Sequence, residues 1–150
     1  MTGSLRYRYL LLAVVALGVG GVGLELLLLG HYDGYWQITP LVLLGLGIAV
    51  IGWHAVDRGR RSLLALQGLM AGYLAAGVAG LILHFNGNAE FEREMVPEIR
   101  GLALVAESLT GATPVLAPGV LIQLGLLGLL YTFRHPALTP VGVTYNQPSE

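Results

Sequence analysis

The chain has no cysteine, no lysine and few charges of either sign. Without cysteine there is no disulfide, no thiolate metal ligand and no thiol nucleophile. Charged residues make up 11% of the 150 positions, against about a quarter in ordinary soluble domains. A net charge of −1 with no basic patch excludes nucleic acid from the expected partners. Motifs are missing as well: no HxxxH, no HExxH, no GxSxG and no phosphate-binding glycine loop in its proper context. An enzyme is therefore not expected, and the sequence requires no cofactor.

What the chain has instead is apolar length. Residues 9–29, 38–56, 63–85 and 115–133 form four runs, each near the roughly 20 residues that a helix needs to cross a bilayer core. The expected fold is all-α: one polytopic integral membrane domain over 1–150, with four transmembrane helices in an up-and-down bundle. Arg6 and Arg8 before the first run resemble a signal peptide's opening, but the run continues through Leu29 without a clear small-x-small cleavage site before His31 and is longer than a typical signal h-region. A retained first helix is the expectation.

Six of the eight arginines fall at one end of these runs: Arg6, Arg8, Arg58, Arg60, Arg61 and Arg134. Arg93 and Arg100 fall at the other, among Glu90, Glu92, Glu94, Glu98 and Glu107. Positive residues in short loops stay cytoplasmic, so both termini are expected inside, in a cell (inner) membrane. Abundant Gly, Leu and Ala, with Arg used to the exclusion of Lys, suggests a GC-rich bacterial source.

Residues 30–37 read as a tight outer turn, with Tyr32, Tyr35 and Trp36 suited to headgroup depth. Residues 57–61 read as a short inner turn, which makes the second and third helices antiparallel neighbours. Pro114 and Pro118 suit the opening of the fourth helix. The connection at 86–114 is the only sizeable segment outside the hydrocarbon. Within it, Ile99, Leu102, Ala106 and Leu109 form an apolar stripe backed by Glu98, Arg100 and Glu107, as in an amphipathic interfacial helix. The tail at 136–150, with Pro136, Pro140 and Pro148, is expected to be irregular and cytoplasmic.

Lipid tails are as apolar as leucine, so the helices must associate through close packing and buried polar contacts. Gly68, Gly72, Ala76 and Gly80 recur every four residues on the third run, and Gly18 and Gly21 share a face of the first. These are the expected helix-packing positions, toward another helix of the chain or toward a second protein. One further step along the third stripe reaches His84, and Glu25 continues the face of Gly18 and Gly21. A carboxylate at mid-bilayer costs about 2.5–3.5 kcal/mol on insertion scales. With Thr39 and Gln123 at similar depth, the expected intramembrane polar cluster is Glu25, Thr39, His84 and Gln123. Each also has a plainer role, Glu25 reaching the interface by extending its side chain.

His31, Asp33, His84 and Glu90 are weak metal-ligand candidates without a recognisable spacing. Paired histidines could bracket a haem or chlorophyll, but no helix carries two at opposite depths. The leading function is a non-catalytic accessory or structural subunit of a larger membrane complex or homo-oligomer, its partners being lipid, other membrane subunits or itself. The alternative is a small transporter or ion- or metal-handling protein using Glu25 and His84.

Overall fold

A computed structural model of the chain describes residues 3–138. It is all-α, with helices α1 (Gly3–Leu28), α2 (Tyr35–Asp57), α3 (Arg60–Met95), α4 (Gly101–Thr110) and α5 (Gly119–Thr132), then a 3₁₀ turn at Pro136–Leu138. The expected tail therefore starts with an ordered turn, and its remainder, 139–150, lies outside the described residues.

Three helices, α1, α2 and α3, are long and apolar enough to cross a membrane. The fourth expected span is shorter than predicted, because α5 has 14 residues, about 21 Å at 1.5 Å per residue. Residues 115–118 form turns instead, where Pro118 occupies the N-cap position. The third span is longer than predicted. α3 runs unbroken for 36 residues, about 54 Å against a hydrocarbon core of about 30 Å. It absorbs the first ten residues of the expected 86–114 connection.

Each helix ends for a local reason. After α1, the Gly30 N–H bonds Leu27 O at 3.1 Å and the His31 N–H bonds Leu26 O at 2.9 Å. This is a Schellman closure, and Gly30 supplies the left-handed backbone it needs at φ +66°. α2 stops at Arg58, which takes φ +50°, a conformation that costs a non-glycine residue about 1 kcal/mol. Only Arg58 and Gly59 separate α2 from α3.

The helices form a closed ring: α1 touches α2, α2 touches α3, α3 touches α5, and α5 returns to α1. Backbones across the ring, α1 with α3 and α2 with α5, stay apart. The core fills the middle with Val15 and Val19, Leu44 and Ile51, Leu63, Leu66, Met70 and Tyr73, and Leu121, Leu124 and Tyr131. On α3 the buried positions 63, 66, 70, 73 and 77 step by three and four, the spacing of one helical face.

The tightest contact joins α3 to α5. A Cβ at Gly125 would lie 2.7 Å from the Met70 carbonyl, and one at Gly77 would lie 2.9 Å from the Ile122 nitrogen. These glycines let two backbones meet. The small-residue face expected on α3 is therefore displaced. Gly80 does meet Pro118 and Ala76 packs on the core, but Gly68 and Gly72 have open space above them. On α1, Gly18 meets Leu124, whereas Gly21 is open.

α4 lies on the projecting end of α3, and the expected stripe at Leu102 and Leu109 faces away from it. Leu104 and Ser108 are buried, while Leu102 is 88% exposed. The cause is Asn88, buried on α3. Its Nδ2 donates to Ser108 O at 2.9 Å and Thr113 O at 2.7 Å, and its Oδ1 accepts the Thr113 N–H at 3.1 Å. One amide thus satisfies three backbone groups of the α4–α5 connection, fixing which side of α4 faces inward.

Gly125→Val is expected to cost about 1–3 kcal/mol through overpacking. Gly68→Ala should be neutral or stabilising, since helix propensity favours Ala by about 1 kcal/mol and nothing obstructs it. Thermal unfolding in detergent checks both.

Candidate functional site at the arginine-rich end

The expected polar residues are placed but not gathered. Glu25, Thr39 and Gln123 are exposed. Thr39 Oγ1 donates to its own helix at Tyr35 O (2.8 Å), and His84 Nδ1 sits 3.0 Å from Pro114 O. No hydrogen bond links the four among the described residues, and the backbones of the helices carrying Glu25 and His84 stay apart. Nor do three His, Asp or Glu side chains converge as a metal ion would need among those residues, so His31, Asp33, His84 and Glu90 do not come together.

The polar side chains converge at the other end of the molecule. His54, in the last turn of α2, is 2% exposed. Its Nδ1 lies 2.9 Å from Ser62 Oγ on α3, and its Nε2 lies 2.7 Å from Tyr131 Oη on α5. Ser62 Oγ is also 2.9 Å from Asp57 Oδ2 and 3.0 Å from Gly59 O. A hydroxyl has one proton, and the charged carboxylate is the stronger acceptor. Ser62 therefore donates to Asp57 and accepts the proton of His54 Nδ1. That leaves Nε2 as acceptor for the Tyr131 hydroxyl. The direction runs Tyr131 to His54 to Ser62 to Asp57, with a neutral imidazole throughout.

This order is unsuited to nucleophilic catalysis. There the imidazole stands between carboxylate and hydroxyl. Here the hydroxyl stands between, fully buried, with its proton directed to Asp57. The chain of bonds instead joins α2, α3 and α5, including the α2–α5 pair whose backbones do not meet.

α1 enters through Arg8. Its guanidinium donates to Tyr131 O at 2.6 Å and to Phe133 O and Arg134 O at 3.1 Å each. The last carbonyls of a helix carry its negative dipole end, so a cation there is favourable. Arg58 lies 5.5 Å from the centre of the Tyr9 ring, and its Nη1 donates to the Tyr9 hydroxyl at 3.1 Å. His135 completes the cluster with its ring 6.0 Å from His54 and 5.5 Å from Tyr131.

These groups surround a cavity of about 390 Å³, lined by Arg8, Tyr9, His54, Arg58, Tyr131 and His135, with apolar walls from Leu12, Ala55, Pro136 and Ala137. Its size falls within the range of about 300–1,000 Å³ usual for small-molecule sites. Burial, then the Arg8 guanidinium and His54, hold the His135 pKa below its ordinary value. No known family model, curated protein or solved structure matches the chain.

Hydropathy could not have located this site. His54 and His135 look interfacial in the sequence, and Arg8 and Arg58 look like topology signals. What they share is position: each lies within about two turns of a helix end on the arginine-rich side.

Tyr131→Phe should cost about 1–3 kcal/mol by leaving buried His54 Nε2 without its donor. Adding His54→Leu should cost less than the sum of the single changes, a coupling that a double-mutant cycle in detergent measures. Because His135 has a depressed folded pKa, its contribution is complete above its unfolded value of about 6.5 and is lost as pH falls through the folded value. Melting temperature should therefore drop below about pH 6.5, and His135→Gln should flatten that drop. The charged or titratable neighbours at His135 are Arg8, His54, Tyr131 and, across the cavity, Arg58.

Proposed function

We propose that the protein is a small polytopic membrane subunit that works by association, with other membrane subunits or with copies of itself, and not by catalysis. In this proposal the chain crosses the bilayer four times, with both termini on the cytoplasmic side of a bacterial inner membrane. The fourth crossing is the segment 115–133, which keeps to α3 from Pro118 beside Gly80 to Gly128 beside Met70. Exposed Tyr32, Tyr35 and Trp36 at one end and Tyr7, Tyr9 and Phe133 at the other suit the two headgroup layers. Leu102 and Leu109, exposed on α4, suit immersion in the outer interface.

The observation that carries the association is the outward face of α3. Gly68, Ala71, Ala75 and Ala79 are all exposed along it at three- and four-residue steps, and Gly68 and Gly72 have nothing of this chain within van der Waals reach. A lipid-facing helix has no need of such a face, whereas a docking helix does, because small residues let backbones close to contact distance. Glu25 adds to this. It is an exposed carboxylate on an apolar helix beside the open Gly21, where a partner's donor group would offset its cost. The ion-handling alternative requires Glu25 and His84 to share a site, and no contact supports that.

Purification in mild detergent with light scattering tests the proposal. The protein should elute as an oligomer or with a stoichiometric membrane partner, and Ala75→Leu should disperse that assembly without lowering the melting temperature. A lone monomer that crosslinks to nothing in its native membrane would end the proposal.

A further inference from the structure

The hydrogen-bond network leaves the cavity at the arginine-rich end rich in donors: among the described residues, uncommitted side-chain N–H and O–H groups come from Arg8, Arg58, Tyr9 and His135. Arg8 has five N–H groups and uses three on backbone carbonyls, leaving two. Arg58 uses two of its five, on Ala55 O and Tyr9 Oη, leaving three. Both sets of acceptors are neutral, so neither guanidinium is charge-compensated by these bonds. The Tyr9 oxygen already accepts from Arg58, which leaves its own proton to donate. His135 Nδ1 accepts the Ala137 N–H at 3.2 Å, so its Nε2–H is the ring's remaining donor. His54 and Tyr131 are committed to each other and to Ser62. Among the described residues, no Asp or Glu lines the cavity.

A space rich in side-chain donors, two of them guanidinium groups, suits an anion with several acceptor oxygens, which is the chemistry of a phosphate group. Leu12, Ala55, Pro136 and Ala137 supply apolar wall for whatever adjoins it. We infer that this cavity binds a phosphate-bearing ligand, with Arg8 and Arg58 as its clamp and Tyr9 and His135 as flanking donors. The phosphate could belong to a lipid headgroup, since the cavity lies where α1, α2 and α5 reach one end of the ring, or to a soluble phosphorylated compound. The site is independent of the outward face of α3 and stands or falls without it.

The test uses full-length protein in a zwitterionic detergent, by native mass spectrometry and thermal shift. One arm adds phosphatidylglycerol, with phosphatidylcholine as the zwitterionic control. The other adds inorganic phosphate and glycerol 3-phosphate. Saturable binding of phosphatidylglycerol alone assigns the lipid source, and saturable binding of the soluble phosphates assigns the other. In either arm Arg58→Gln should weaken binding about tenfold or more. Arg61→Gln, which removes the same charge from an exposed position outside the cavity lining, should leave it unchanged. If Arg58→Gln unfolds the protein, Tyr9→Phe keeps the ring and deletes one donor, and should weaken binding several-fold. Equal effects from Arg58→Gln and Arg61→Gln would reduce the attraction to general surface charge and overturn the site. So would the absence of saturable binding in both arms.

Discussion

The contact between α3 and α5 is the constraint on which the rest of the molecule depends. α5 is held on α3 by dispersion over a close fit. Gly77, Gly125 and Gly128 give that fit by letting Met70, Leu74 and Ile122 enter where a β-carbon would stand. α5 has only 14 residues, and its placement fixes Tyr131 opposite His54. It also sets the carbonyls that Arg8 grips and the wall that His135 gives to the cavity. A shift of α5 along α3 by one residue would undo all of these together.

Among the described residues, buried polar chemistry is confined to the two ends of the ring, and each end solves a different problem. At one, Asn88 satisfies loop backbone that would otherwise be buried without partners. At the other, the bonds from Tyr131 through His54 and Ser62 to Asp57 satisfy side chains, and Arg8 satisfies a helix terminus. Between them, Tyr73 is the polar exception. Its hydroxyl passes over Gly47 and donates to Leu43 O at 3.0 Å, so even this group is paired. No buried side-chain nitrogen or oxygen is left without a partner among the described residues, as a low-dielectric surround demands.

The long helices were legible because a bilayer imposes a minimum apolar length, and 9–29, 38–56 and 63–85 meet it without ambiguity. The end of α3 was not, because Asn86, Gly87 and Asn88 look like loop formers. Asn88 stays helical because its amide bonds a distant connection instead of its own backbone. Of the small residues expected to pack on α3, Gly80 meets α5's Pro118 cap, whereas Gly68 and Gly72 meet nothing of this chain. The glycines of the α3–α5 contact come from both helices, Gly77 and Gly80 from α3 and Gly125 and Gly128 from α5. Glu25 attracted attention as the costliest residue in an apolar run, yet it faces outward. The groups that do meet, from Arg8 to His135, are spread over nearly the whole sequence and are joined only by the folding of the ring.

Ser62 and Asn88 stand near opposite ends of one uninterrupted helix. Twenty-six residues separate them along α3, which at 1.5 Å per residue is about 39 Å of rigid rod. The bond chain at the arginine-rich end and the loop clamp are thus bolted to a single strut. Any rocking of that strut must swing both anchor points at once, in opposite directions about its midpoint.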